Sequence, residues 1–414
     1  MTSVRFRHLG PWLAVVLWVG LIYLAIPFVR KLRELFVAHW PAEFIAYTVM
    51  VVVVCAVATA LILLGRQQSR VAPADVMWLI AVAAVVVLWT RRLMGQPEEA
   101  VHFIEYGVLG ILLFRALSGP VKDATVYVVV TLVGLLVGTV DELIQWLVPS
   151  RFWDLRDIFL NGGAVALIQV AIWRLAPPRP VSVNRSSMRL ACRLAAAEVL
   201  LLLLCLSATP QRVARIAEFL PIPNRLALGH EAICEYGFFH VVDELTAFRS
   251  RLSAQDLATS DRQRSTDIIH YLDPPRPADG SPRETASPVT DPFLYEFRVH
   301  LFARNRNFNR ARTADQASEI YRRRMTIAWR ENLILETSFG RTLTRAARRW
   351  GPDRRRSVEA EQDPDQQFVS RVGGHLVTTF SEAQLRALML TLLAVFVVCD
   401  LSIATRPPRA APPS

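Results

Sequence analysis

Between Val101 and Gly163, acids, a histidine, amides and an arginine are written into helices that are otherwise apolar. His102, Glu105 and Tyr106 stand at steps of three and four, a spacing that places them on one helical face. Asp141, Glu142 and Gln145 do the same near the end of the next apolar run. After a turn from Pro149 to Trp153 that carries Arg151, the spacing repeats in Asp154, Asp157 and Asn161. A charged side chain at membrane depth costs about 2.5–3.5 kcal/mol even on lenient scales, so such groups are expected to face a protein interior or a wet cavity. Asp141 lies about 12 Å along the helix axis from Pro149. All three polar faces therefore fall at one end of the helices, where they can meet.

A histidine beside carboxylates can accept or give a proton near neutral pH, and an arginine such as Arg151 can hold a phosphate or carboxylate through two hydrogen bonds. The cluster has no cysteine and no serine other than Ser150. It also lacks a membrane-phosphatase signature, a Gly-x-Ser-Gly element and a paired-glutamate protease motif. These residue types leave catalysis and simple binding both open. A plainer reading makes His102 with Glu105 and Asp141 with Arg151 pairs that lock helices together. Glu98 and Glu99, after Pro97, read as acids that compensate a helix dipole, and Asp154 reads as a helix cap.

The elements that must carry these residues are membrane helices. The chain has 414 residues, 52% of them hydrophobic, and a mean hydropathy of +0.29, too apolar for a soluble protein and too charged for a transporter core alone. Apolar runs at Gly10–Phe28, Phe44–Leu64, Val76–Leu88, His102–Leu117, Thr125–Val148, Ile158–Leu175, Leu190–Leu206 and Leu385–Ile403 predict about eight spans. The first follows Arg5 and Arg7 without a small-residue cleavage site and reads as a retained anchor. The expected class is an all-α multi-pass membrane protein with a mainly helical, or α+β, extramembrane domain between the last two spans. The expected organisation is 1–70 N-terminal helices, 71–176 the polar-clustered membrane domain, 177–209 a linker and seventh span, 210–384 the extramembrane domain and 385–414 the last span and tail.

The order His102-x-x-Glu105-Tyr106-Gly107, then Asp141-Glu142-x-x-Gln145-x-x-x-Pro149-x-Arg151-x-x-Asp154-x-x-Asp157-x-x-x-Asn161-Gly162, resembles the VanZ-like family of bacterial membrane proteins. The resemblance covers about Val71 to Trp173 and leaves the rest of the chain untouched. It implies a bacterial envelope protein, since the family's named member is associated with low-level resistance to the glycopeptide teicoplanin. No catalytic residues come with it.

The net charge of +11 belongs to arginines flanking the spans, and no nucleic-acid motif accompanies it. Arginine and lysine are richer in the loops that share a side with both termini. That distribution predicts a bacterial cytoplasmic membrane protein with cytoplasmic termini, and with the polar cluster and the 210–384 domain facing out.

In that domain His230, Cys234, Glu235, His240 and Glu244 crowd together, and on a helix several of them would share a face. The spacing matches no zinc motif, so no metal and no cofactor are expected. The fragments Glu235-Tyr236-Gly237 and Val242-Asp243-Glu244-Leu245 echo those of the membrane cluster, as chance does in a single sequence. The alternation of Phe297, Val299 and Leu301 with Arg298 and His300 predicts a strand over Phe293–Phe302. Residues Ala314–Phe339 predict a helix with a seam of Tyr321, Met325, Ala328, Asn332, Leu335 and Phe339, serving as core or as the docking face for an envelope partner. Gly351–Gln367 reads as a mobile linker.

Three function classes fit. The first is a protein that binds or modifies a membrane lipid, or a lipid-linked or cell-wall-related ligand. The second is a scaffold for envelope proteins, and the third is a proton-coupled transporter using Glu105, Asp141 and Glu142.

Overall fold

The computed structural model describes residues 2–41, 43–66, 72–94, 97–148, 151, 153–175, 183–219, 233–234, 236–268, 272, 291–370 and 380–405. The chain divides into two compact units, Met1–Cys205 with Ala383–Ser414, and Leu206–Glu382.

The first unit is helical throughout. Its elements are α1 (Thr2–Val37), α2 (Glu43–Arg66), α3 (Pro73–Arg92), a 3-10 turn (Pro97–Val101), α4 (His102–Leu117), α5 (Thr125–Leu147), α6 (Leu155–Leu175) and α7 (Arg185–Leu206). The last helix of the chain, Glu382–Thr405, also belongs here from Ala383 onward. Among the described residues seven helical segments are long and apolar enough to cross a membrane: α1, α2, α3, the 3-10 turn with α4, α5, α6 and the last helix. The run expected as a further span forms α7, 22 residues long. It falls short of the others in apolarity because Arg189, Arg193 and Glu198 interrupt it. The short third run extends to 20 residues, because Pro73 starts the helix and Asp75 accepts the Ala72 N–H at 3.3 Å.

Helices α4, α5 and α6 form the centre of this unit, packed through Leu109, Leu113, Val126, Val129, Val130, Leu160 and Val165, all essentially buried. Glycines bring α5 and α6 close. A Cβ on Gly134 would stand 2.7 Å from Val165 Cγ2, one on Gly138 would stand 2.8 Å from Asn161 Cβ, and one on Gly162 would stand 2.6 Å from Leu135 Cδ1. Small residues permit this approach in an environment that supplies no hydrophobic drive between helices. In the loop before α5, burial opposes ionisation of Asp123, but hydrogen bonds from Thr125, Ser187 and the Asn184 N–H outweigh it and hold the carboxyl below its ordinary range.

The second unit opens with α8 (Pro210–Phe219), then β1 (Phe238–Val241) and β2 (Thr246–Ser250), α9 (Ala254–Gln263), α10 (Pro292–Ala311), α11 (Glu319–Ser338), α12 (Gly340–Arg345), α13 (Pro352–Glu361) and β3 (Phe368–Val369). The helix Glu382–Thr405 is α14 in this order. Strand β2 lies between β1, antiparallel, and β3, parallel. The unit is therefore α+β. Its ends are clasped together, since Arg212 in α8 donates to Glu382 at 2.9 Å.

Two sequence expectations change here, and a third takes one of its two alternatives. Phe293–Phe302 is helix, not strand. Asp291 caps it by accepting the Leu294 N–H at 3.1 Å, and Pro292 sits in the first turn. The buried positions Phe293, Leu294, Phe297, His300 and Arg304 follow helical spacing, whereas Val299 and Leu301 are only half-buried. The seam from Tyr321 to Phe339 is core: all six of its residues are buried, and α11 packs on α10. Gly351–Gln367 is not a linker but carries α13, anchored by buried Val358 and by arginine stacking. Arg355 lies 4.9 Å from the Trp329 ring and Arg354 lies 5.3 Å from Phe308.

The interior of this unit also holds polar pairs. Glu296 accepts from Ser250 Oγ at 2.5 Å and from the Arg251 N–H at 2.8 Å. His300 Nδ1 lies 2.6 Å from Glu331, which also accepts from Ser370. Arg304 donates to Asn332 at 3.1 Å and stacks on Trp350 at 4.9 Å.

Candidate functional site

The three polar faces do meet. The start of α4, the last two turns of α5 and the first two turns of α6 lie at the same end of the helices, and hydrogen bonds tie them together. Tyr106 Oη donates to Asp141 Oδ2 at 3.1 Å, joining α4 to α5. Gln145 donates to Glu142 Oε1 at 2.8 Å, and Glu142 Oε2 accepts the Asp154 N–H at 3.1 Å, joining α5 to the entry of α6. His102 Nδ1 stands 3.4 Å from Glu105 Oε2. Asp154 caps α6 by accepting the Arg156 N–H at 2.7 Å. Asp157 lies within electrostatic reach of His102, Glu142 and Glu99. Helix α1 closes over the same end: Trp18 donates to the Glu105 carbonyl at 2.9 Å and Tyr23 to the Val137 carbonyl at 2.9 Å.

One expected pairing and one expected role change. Arg151 donates to Gln145 and not to Asp141, because Asp141 sits one turn deeper and already receives Tyr106. Glu99 is more than a dipole-compensating acid. It is buried, and it pairs with Arg156 across the bundle. Nothing local in the sequence reveals that pair, since its partners are 57 positions apart.

Many of the cluster's polar atoms remain unpartnered although buried. They include Glu99 Oε2, Asp141 Oδ1, Asp157 Oδ1, both amide atoms of Asn161, the Trp153 indole N–H and Arg151 Nε, together with His102 Nδ1, whose contact to Glu105 lacks hydrogen-bond geometry. Such atoms cost about 1–3 kcal/mol each when left unsatisfied, and native interiors hold few of them. The carboxylates of Glu99, Glu105, Asp141, Glu142, Asp154 and Asp157 outnumber the guanidiniums of Arg151 and Arg156. The site is thus rich in acceptors. Helix gluing accounts for the bonded atoms and leaves these without a purpose.

Sequence reasoning passed over two further buried polar groups in the helices. Gln169 donates to the Gly110 carbonyl at 3.1 Å, and Glu198 accepts from Thr139 Oγ1 at 2.6 Å. The rule that exposed the main cluster, a polar residue inside an apolar helix, would have found Glu198.

The candidate of the second unit is described only in part. His230 and Glu235 lie outside the described residues. His240 is in β1, where it stacks on Phe248 at 5.0 Å and contacts the Leu252 carbonyl at 3.0 Å. Glu244 is exposed in the turn to β2. A strand and turn, in place of the helix, carry His240 and Glu244. The echo of the membrane motif is likewise no structural repeat, since Val242–Leu245 forms a hairpin turn where Val140–Leu143 is helix. Among the described residues no group of three or more His, Cys, Asp or Glu side chains is arranged to hold a metal.

Apolar helices of spanning length around a buried polar cluster at one end define a multi-pass helical membrane protein. Residues 12–176 match the family model described as VanZ/LLP1, so this membrane region is VanZ-like, and the match reaches further toward the N-terminus than the motif residues alone. The region beyond residue 176 is not covered by it. No curated protein and no solved structure matches the chain.

Proposed function

We propose that the chain is a bacterial cell-envelope protein whose membrane cluster binds a lipid-linked or cell-wall-related ligand at the membrane–water interface. The observation that carries this reading is the convergence of buried, unpartnered acceptors on Asp141, Asp157, Asn161 and Glu99. Acceptors in excess suit a headgroup rich in hydroxyl, amine or amide donors, as glycan and peptide groups are. They suit a bare phosphate poorly, because the carboxylates of the cluster outnumber its guanidiniums.

The family resemblance directs the test to glycopeptides. Wild-type protein expressed in a teicoplanin-sensitive bacterium should raise the inhibitory concentration of teicoplanin. Asp141→Asn and Asn161→Ala, at equal membrane abundance, should abolish the rise. Full protection by both variants overturns the assignment of the site. The surplus of acids also favours a second reading, proton-coupled transport, which requires that activity disappear when the membrane potential is collapsed.

A further inference from the structure

We propose that the second unit carries an anion site, built on Arg341, Arg345 and Arg349, that binds a phosphate-ester group. The three side chains line one cleft of about 530 Å³ beside α12, with Thr337 and Thr344 at its wall. Arg341 and Arg345 are one helical turn apart and share a face. Arg349 reaches the same cleft because the chain turns sharply after α12. Ala347 adopts φ 51°, while the Ala347 N–H bonds to the Thr344 carbonyl at 3.1 Å and the Arg348 N–H to the Leu343 carbonyl at 3.2 Å. This helix ending normally takes glycine, so an alanine there holds a strained backbone conformation.

The cleft is net basic, with three guanidiniums against the carboxylates of Asp261 and Glu336. Elsewhere in the unit Arg251 pairs with Glu296, Arg264 with Asp291, Arg330 with Asp243 and Arg356 with Asp353. Among the described residues no carboxylate pairs with Arg341, Arg345 or Arg349. The cleft also holds two acids, Asp261 and Glu336, and the Glu336 Oε1 atom is buried without a partner. Glu336 pairs with Arg355 at 3.3 Å, and Asp261 accepts the Arg341 and Thr342 N–H groups at 3.0 and 2.9 Å. Arg345 is steadied by neutral hydroxyls, donating to Ser265 at 2.8 Å and to Thr266. A solvated basic face would need neither concavity nor a strained turn. Planar guanidiniums converging on one hollow match the geometry of phosphate oxygens, and the volume admits a diphosphate or a phosphodiester headgroup.

The proposal is independent of the membrane cluster, and its failure leaves that reading untouched. The test titrates the full chain, in neutral detergent micelles, with inorganic pyrophosphate by calorimetry. Wild type should bind. Arg341→Gln with Arg349→Gln should weaken binding by about tenfold per arginine. The double lysine variant, R341K with R349K, should fall between, because charge remains and the fork is lost. Arg356→Gln, outside the cleft, should change nothing. Competition by dihexanoyl phosphatidylglycerol then separates the sources: displacement of pyrophosphate marks a lipid headgroup, and its absence marks a soluble phosphate ester. No binding by wild type, or equal weakening by Arg356→Gln and the double glutamine variant, overturns the proposal.

Discussion

Glu331 shows how much a single buried acid can hold. It is 2% exposed and receives both His300 and Ser370, so it ties α10 and α11 to the end of β3. Glu331→Ala strands both partners in an interior without water and should cost the unit about 3–5 kcal/mol. Glu331→Gln, which keeps the shape and one acceptor, should cost less. Hydrogen–deuterium exchange of the α10 and α11 amides in the full chain should reveal the order. Equal protection in wild type and Glu331→Ala would remove the pair from the unit's stability. At this scale the sequence was legible where polar residues interrupt apolar helices, which is why His102, Glu105, Asp141, Glu142, Asp157 and Asn161 stood out. It was silent where a partner lies far along the chain. Glu99 looked like an ordinary helix-start acid because Arg156 comes from another helix. Asp141 and Arg151 looked paired because they are near in sequence, whereas Tyr106 reaches Asp141 from α4.

Among elements, the contact of α5 with α6 is governed by the absence of side chains. Gly138→Ala places a methyl 2.8 Å from Asn161 Cβ, in the backbone of the helix pair and next to the cluster. Overpacking of this kind costs about 1–3 kcal/mol, and Asn161 must shift to relieve it. Gly10→Ala in α1 meets nothing within 4 Å and should leave stability unchanged or slightly raised. Unfolding midpoints in mixed detergent micelles should separate the two, and coincident midpoints would show that α5 and α6 part without penalty. The helical stripe of α11 was readable because its period of three and four persists over five turns. The strand expectation for Phe293–Phe302 failed because a short alternation fits both periods, and length decided for helix. Helix α13 was missed for another reason: its hold on the core comes from arginines laid over Trp329 and Phe308, which a count of apolar residues does not see.

For the whole molecule the deciding element is α7. Its charges exclude it from the purely apolar spans, yet each is matched within the first unit. Arg189 and Arg193 meet Asp400 of α14 at 2.8 and 3.2 Å, and Glu198 meets Thr139 of α5 at 2.6 Å. Intramembrane charges that face neighbouring helices and pair there are tolerated. Helix α7 is therefore expected to cross, which by parity returns the chain to the side of the α5–α6 turn before the second unit begins. Single cysteines at Ser150 and Asp353, in a background lacking Cys55, Cys192, Cys205, Cys234 and Cys399, should react alike with an impermeant maleimide on intact cells. The arginine distribution further expects both to label from outside. Labelling of one alone would make α7 a surface helix and put the second unit across the membrane from the cluster.

The Arg212–Glu382 clasp brings the entrance and exit of the second unit side by side. Interruptions with neighbouring ends are the kind a host fold accepts without rearrangement. The segment from Leu206 to Glu382 is therefore expected to behave as an insertion, so that a short loop in its place between α7 and α14 should leave the first unit folded.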